Sequence, residues 1–324
     1  MRGADYVVKR TGMALATVFV AITLNFLLFR AVPGSAVTAL RCFHCTKQFK
    51  AALEKELGLD KPMLQQYVIY LRGLSHGDLG TSYADHRPVW QDLEGPIMNT
   101  LPMLVVGTMI SIVIGIVAGV VAAWRRGTIN DRLNTWTALA FYAMPTQWIG
   151  LLVIFYFALR VGLPVAGIRD PTLGILGSPS TWTVVTDRIR HMLLPALTLG
   201  IGLYGEYALI VRSSMLETLG EDYVLTARAK GLRNWDIVWR HGLRNAMLPL
   251  VTLIALSFGY ILAGAIVIED VFSYPGIGLA IINAIDQRDY PVLQGAFLLL
   301  TLSVIFFNFV ADLLYFKLDP RVTA

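Results

Sequence analysis

Apolar residues gather in six runs along the chain, at 11–31, 100–123, 135–159, 193–211, 248–268 and 293–316. Each approaches or exceeds the roughly 20 residues that an α-helix needs to cross a ~30 Å hydrocarbon layer. The pattern predicts an all-α polytopic membrane protein with six transmembrane helices, and an even number of crossings puts both ends of the chain on one side. The polar stretches between the runs are a long segment at 33–98, a short basic turn at 124–133, and segments at 160–192, 212–246 and 269–291. Within the first of these, Asp60 is placed to cap a helix that takes Pro62 in its first turn and sets Leu64, Tyr67, Val68 and Leu71 on one face. Phe49, Leu53 and Leu57 recur every four residues and predict a second short amphipathic helix. Neither is long enough to span, so both are expected along the outer membrane surface.

Composition agrees with a bilayer location. The chain of 324 residues is 56% hydrophobic and 15% charged, with a mean hydropathy of +0.60, too apolar for an ordinary soluble domain. One transmembrane domain covering 1–324 is expected, with its core at 94–318. Charge then orients it. Arg2, Lys9, Arg10, Arg125, Arg126, Arg132, Arg212, Arg228, Lys230, Arg233, Arg240, Arg244, Lys317 and Arg321 crowd into one set of flanks. Lys and Arg near span ends are retained in the cytoplasm, so both termini and the 212–246 loop are expected inside and 33–98 outside. Arg125-Arg126, closing the second run, casts the clearest local vote, because short loops carry this rule. Orientation explains the formal charge of +5 more simply than nucleic-acid binding does. The first run follows Lys9-Arg10, as a signal peptide would, but its length and the lack of a small-x-small cleavage pattern predict a retained helix.

The stretch from Glu217 to Pro249 is too polar for a seventh span. Tyr223, Ala227 and Gly231 fall four apart on one helical face, where two small residues leave room for a close neighbour. Asn234 is a good N-cap for a second helix whose stripe is Trp235, Val238, Trp239, Gly242 and Leu243, with Asp236, Arg240 and Arg244 opposite. Such a helix-turn-helix either packs on the protein's own spans and lipid or offers a groove-binding helix to a soluble partner. Periodicity leaves the two open.

Catalytic chemistry finds little support. Gly-Lys followed by Ser or Thr never occurs, so the chain has no Walker A cradle for ATP phosphates. The spans offer only Asn25, Glu206, Asn308 and Asp312 as isolated polar side chains. Such groups turn toward a protein interior or a water-filled path, which makes Glu206, Asn308 and Asn25 candidates for a translocation pathway. Asp312, near Lys317, reads as an anchor at the inner end of the last span. Glu206, within Gly202-x-x-Gly205-Glu206, is the best pathway candidate, with helix packing as the alternative. Cys42 and Cys45, on the expected outer side, read most simply as a local disulfide. A metal site would need His44 and His76 or His86 to converge with them. An ion-coupled carrier or channel would also have six spans, but the charged residues deep in several spans and the internal repeats expected of one are not evident.

The run Asp222-Tyr223-Val224-x-Thr226-Ala227-Arg228-Ala229-Lys230-Gly231-Leu232, followed by Arg240-His241-x-x-Arg244-Asn245-x-x-x-Pro249, closely resembles the EAA loop of ABC importer permeases in its oligopeptide and dipeptide form. Thr226-Ala227-Arg228 stands where the general importer pattern has Glu-Ala-Ala. Leu57-Gly58-Leu59-Asp60-x-Pro62, Gly77-Asp78-Leu79-Gly80-Thr81-Ser82, Leu194-Pro195-Ala196-Leu197-Thr198-Leu199, Pro275-Gly276-x-Gly278, Arg288-Asp289-Tyr290-Pro291 and Asp319-Pro320-Arg321 resemble the same subgroup in its order. The insert at Arg41-Cys42-Phe43-His44-Cys45 and the Ala143-Met144-Pro145 replacing Ser-x-Pro depart from it. The resemblance implies a type I ABC importer permease fold. It implies docking of Tyr223, Thr226, Ala227, Arg228, Ala229, Lys230, Gly231, Leu232 and Arg240 onto an ATPase subunit, with ATP and magnesium bound there and no cofactor on this chain. It also implies a second permease subunit, two ATPase subunits or domains, an extracytoplasmic substrate-binding protein, surrounding membrane lipid, and location in a bacterial inner membrane. Peptide is the implied cargo, with nickel chelates, glutathione or sugars carried by relatives of this shape.

Overall fold

The structure, a computed structural model, describes residues 3–31, 60–175 and 178–318. The amphipathic helix expected around 49–57 and the Cys42–Cys45 pair lie outside the described residues. The regular structure is helical: α1 (Gly3–Ala31), α2 (Met63–Ser75), α3 (Val89–Trp124), α4 (Ile129–Ala143), α5 (Thr146–Val153), α6 (Thr181–Leu219), α7 (Asp222–Ala229), α8 (Arg244–Val271), α9 (Ile277–Gln287) and α10 (Tyr290–Leu318). Helix α2 begins at Met63 behind Pro62, whose carbonyl takes the amides of Gln65 and Gln66, and Asp60 does not cap it.

Among the described residues, four unbroken helices have the length and apolarity to cross a membrane: Asp5–Arg30, Val89–Trp124, Thr181–Leu219 and Tyr290–Leu313. The run at 248–268 lies inside the 28-residue α8, about 42 Å long at 1.5 Å per residue. The remaining run, 135–159, is not the single rod that its hydropathy suggests. It is broken between α4 and α5 and bent by 107°. Pro145 has no N–H to donate and forces the residue before it off the helical region, and Met144 accordingly sits at ψ 132°.

The broken pair still crosses. At its start Gly127 N–H donates to Asp131 (2.9 Å), which also takes both arms of Arg212 from the far end of α6. Beyond α5, Gly167 N–H donates to the carbonyl of Phe272 after α8, and Arg190 at the beginning of α6 reaches Gly162 O. These anchors lie at opposite ends of the bundle, so among the described residues the bent pair counts as a fifth span beside the four unbroken ones.

Helices α3 and α6 outrun their apolar runs, with 36 and 39 residues, and pair parallel as the spine of the molecule, Gly107 meeting Leu199, Gly115 meeting Tyr207 and Gly119 meeting Val211. Lipid tails are as apolar as leucine, so helices in a bilayer hold together by close fit, and small residues mark the seam. A Cβ on Gly115 would come within 2.5 Å of Tyr207, and one on Gly119 within 2.7 Å of the Ala208 carbonyl. Two buried clusters flank this seam. One joins Leu93, Met103, Leu194, Ile268, Phe272 and Ile281 toward one end, and the other joins Val120, Tyr207, Val211, Met215, Val238 and Leu250 toward the opposite end.

Candidate functional site

Beyond Leu219 the chain turns at Gly220 and forms α7. Val224 and Ala227 point inward and close a small core with Ile237 and Leu219. Leu225, Thr226, Arg228, Ala229, Lys230, Gly231 and Leu232 are exposed. Leu225 and Leu232 together show an apolar edge among cations. The helix stops because Gly231 adopts φ +74°, a backbone state that costs glycine nothing. Gly231 N–H then donates to Arg228 O (2.9 Å) and Leu232 N–H to Ala227 O (3.3 Å), closing a Schellman turn. The sequence expectation that Ala227 and Gly231 share a face open to a partner is therefore corrected: Ala227 is internal, and Gly231 makes the bend.

The second half is not a separate helix. Asn234–Asp236 and a π-helical stretch at Ile237–Leu243 run without interruption into α8. Asn234 opens this segment as its first residue, with Arg233 before it, and caps nothing. The stripe proposed from periodicity divides: Val238 and Gly242 are buried against the spans, Trp239 and Leu243 are half-buried, and Trp235 is 70% exposed. Packing on the protein's own spans is thus what most of this stripe does. Arg240 is exposed on the other side.

One polar link joins the two halves. Asn245 Nδ2, in the first turn of α8, donates to the Tyr223 hydroxyl at 2.7 Å, and that hydroxyl reaches His241 O at 3.4 Å. Helix α7 thus contacts α6 through Val224 on Leu219 and α8 through the Tyr223 hydroxyl. Close by, Arg212 holds Asp131 by two hydrogen bonds of 2.7 and 3.0 Å, and this pairing lowers the carboxyl to about 2.

The pathway candidates separate spatially. Asn25 bridges helices, donating weakly to Gln294 O and accepting from Tyr70, both at 3.5 Å. Asn308 Oδ1 is buried with no hydrogen-bond partner among the described residues. Glu206 is half-buried one turn along α6 from Gly202, whose Cβ would lie 3.7 Å from Ile149 and 4.0 Å from Thr146. It thus shares a face with the residue that meets the start of α5, just past the break. Asp312 pairs with Arg10 at 3.1 Å, with Tyr6 beneath, and the expected anchoring comes from α1.

At the opposite end two carboxylates that sequence reasoning could not assign are structural. Glu269 is fully buried. It accepts from Thr100 Oγ1 (2.5 Å), Gly278 N–H (2.6 Å) and Leu279 N–H (3.2 Å), while Thr100 accepts from Ile277 N–H (2.9 Å). The two side chains from α8 and α3 thereby satisfy the first three orphan amides of α9. Cβ atoms on Gly276 or Gly278 would strike Glu269, which accounts for both glycines in Pro275-Gly276-x-Gly278. Asp289 accepts from Ser82 Oγ (2.5 Å) and from the amides of Tyr83 and Ala84, fastening the 33–98 segment to the start of α10. A signal for this existed in the spacing of short polar residues around buried acids, but not the identity of the partners, which lie 169 and 207 positions away.

An all-helical bundle with a broken span and an exposed basic hairpin wired into two spans is the build of a membrane transport subunit. The chain belongs to the family described as binding-protein-dependent transport system inner membrane component, which matches residues 115–324, and the N-terminal component of the same systems matches 4–106. It is 40% identical to the dipeptide transport system permease protein DppB of Escherichia coli strain K12, with 98% of each chain covered. Its identity to the di/tripeptide transport system permease protein DppB of Pseudomonas aeruginosa strain UCBPP-PA14 is 38%, and to the glutathione transport system permease protein GsiC of Escherichia coli strain K12 it is 34%, each again over 98% of both chains.

Proposed function

We propose that this chain is one of two permease subunits of an ATP-driven peptide importer, and that α7 with Lys230, Gly231 and Leu232 is its contact with the ATPase. Both termini and this hairpin face the cytoplasm, and ATP with its magnesium is bound and hydrolysed by the partner. The observation that carries the reading is the division of the hairpin into two faces. Val224 and Ala227 lock it to the spans, while Leu225, Arg228 and Leu232 stay open to a soluble groove. Closure of the ATPase moves α7, the Tyr223–Asn245 link carries the movement into α8, and the spans alternate access. Carrying such an equilibrium from 1:99 to 99:1 takes about 5.5 kcal/mol of differential binding, within reach of a docked helix driven by nucleotide. The names of the relatives support short peptides as cargo, delivered by an extracytoplasmic binding protein, with glutathione as the second reading.

Glu206, beside the broken span, is the pathway residue this reading favours, since discontinuous helices near the membrane middle build transport sites. The test of coupling compares Gly231→Trp with Gly231→Ala in the assembled complex. Both carry the left-handed strain of about 1 kcal/mol, but only Trp fills the docking face. Substrate-stimulated ATP hydrolysis is expected to survive Ala and be lost with Trp, while both variants still assemble. Full stimulation with Trp would remove the assignment.

A further inference from the structure

Where α3 ends, a cavity of about 260 Å³ opens between its last turn and the segment leading into α8. Its floor is Val120, Val121 and Val238, and its walls are Trp124, Trp235 and Trp239, the last two indoles 5.1 Å apart. Arg125 and Asn234 stand at its rim. Coupling to an ATPase explains none of this, since the exposed docking residues sit on α7.

We infer that this cavity seats an anionic phospholipid, with an acyl chain along the three valines and the phosphate at Arg125 and Asn234. Five features select that occupant. Val120 and Val121 belong to the apolar run that ends at residue 123, so the floor lies at the edge of the hydrocarbon and the rim at headgroup depth. Three indoles at that depth match the amphipathic belt in which Trp settles, ring in the acyl region and N–H toward water. Arg125 makes no ion pair among the described residues. The neighbouring acid Asp131 is already held by Arg212, so Arg125 remains free for an external anion. The volume falls below the ~300–1,000 Å³ of sites that enclose drug-sized ligands, which suits a stretch of chain and not a whole peptide. Arg126 and Arg132 extend the positive field around the rim, as in basic pockets that hold anionic headgroups. Because Trp239 and Val238 belong to the link between α7 and α8, an occupied seat also stiffens the element that carries motion.

The inference rests on the membrane topology above but not on which side is cytoplasmic, and the experiment is chosen accordingly. The purified transporter complex is placed in nanodiscs of phosphatidylcholine and phosphatidylglycerol, which offer both lipids in both leaflets. Bromine is carried on the acyl chains of one lipid at a time, and tryptophan quenching is read. The share due to the seat is the difference from Trp235→Phe/Trp239→Phe. That share is expected to be quenched at least twofold more by brominated phosphatidylglycerol than by brominated phosphatidylcholine. Arg125→Gln should abolish the preference and Arg126→Gln should keep it. Equal quenching by both lipids means ordinary annular contact and overturns the proposal. Equal loss in the two arginine variants means a diffuse surface field and overturns it too. Quenching present in the permease alone but absent in the full complex assigns the cavity to the ATPase instead.

Discussion

Glu269 joins three helices through one side chain, and that sets what its replacement does. Its two oxygens take amides of α9 and the hydroxyl of Thr100, all inside a fully buried site. In Glu269→Gln the amide group has only one accepting oxygen and brings two donors toward N–H groups that also donate. The cap is lost and a buried donor stands unpaired, a cost of about 1–3 kcal/mol. Gly276→Ala attacks the same cap from the other side by pushing a methyl group into the carboxylate. The thermal midpoint in detergent is expected to fall in each single variant, and the double variant should lose much less than the sum, because neighbours that share one network are not additive. Additive losses would mean that the two residues act separately. Asp131 gives a residue-scale prediction in pH. Its carboxyl is lowered to about 2 by Arg212, so the stability it adds is complete above the unfolded value near 4 and fades as pH falls toward 2. Asp131→Asn should therefore lower the midpoint at pH 7, by about 1–2 kcal/mol given partial screening near the turn. The gap to the parent should narrow only below about pH 4. A gap that closed between pH 8 and 6 would point to another group.

At the scale of elements, α7 and the segment into α8 are tied at Tyr223, and the proposed coupling treats them as one lever. Tyr223→Phe keeps the ring and removes the hydroxyl that accepts from Asn245. The fold should hold, since a half-exposed hydrogen bond contributes about 0.5–1.5 kcal/mol. The ratio of transport to ATP hydrolysis should drop, because the ATPase still docks while its motion reaches α8 less faithfully. Asn245→Ala should give the same phenotype with no further loss when combined. An unchanged ratio in both variants would place transmission in the Leu219, Val224 and Ile237 core alone. These elements were partly legible in the chain. The spacing of Tyr223 and Ala227 marked the helix but not its stop at Gly231, and the hydropathy runs marked the spans. The sequence window could not tell that Trp235 to Leu243 continues into a span, because a polar π-helical entry reads like a free amphipathic helix. The break at Met144-Pro145 was disguised in the same way: the apolar run continues through the proline, and hydropathy averages over a bend that φ, ψ and a missing N–H decide. Glu269 and Asp289 were the least legible, since both look like surface acids of a loop until distant helices close over them.

Across the whole molecule the helices divide into a spine and a satellite. Helices α3 and α6 bury a large share of their surface in each other and in α8, whereas only 6% of the apolar window of α1 is buried. Contacts near its two ends hold α1 to the rest, and the strongest at each end can be compared. At one end Arg10 and Asp312 form an ion pair with both side chains 38% exposed. At the other, Phe26 is buried beside Tyr67 and Tyr70 of α2, and Thr23 shares a 2.7 Å hydrogen bond with Tyr67. An exposed pair is screened and must order two long side chains, so its coupling energy is expected below about 1 kcal/mol. Burying an aromatic against two others contributes more, even beside lipid, and Phe26→Ala should cost about 2–3 kcal/mol. A double-mutant cycle on Arg10→Ala and Asp312→Ala, compared with Phe26→Ala by thermal shift of the complex, separates the two. If the ion-pair cycle exceeds the aromatic loss, α1 hangs from its Arg10 end and the 33–98 segment merely lies on it. If the aromatic loss is larger, α1 and α2 form one unit at the end of the bundle where Asp289 holds Ser82 to the start of α10.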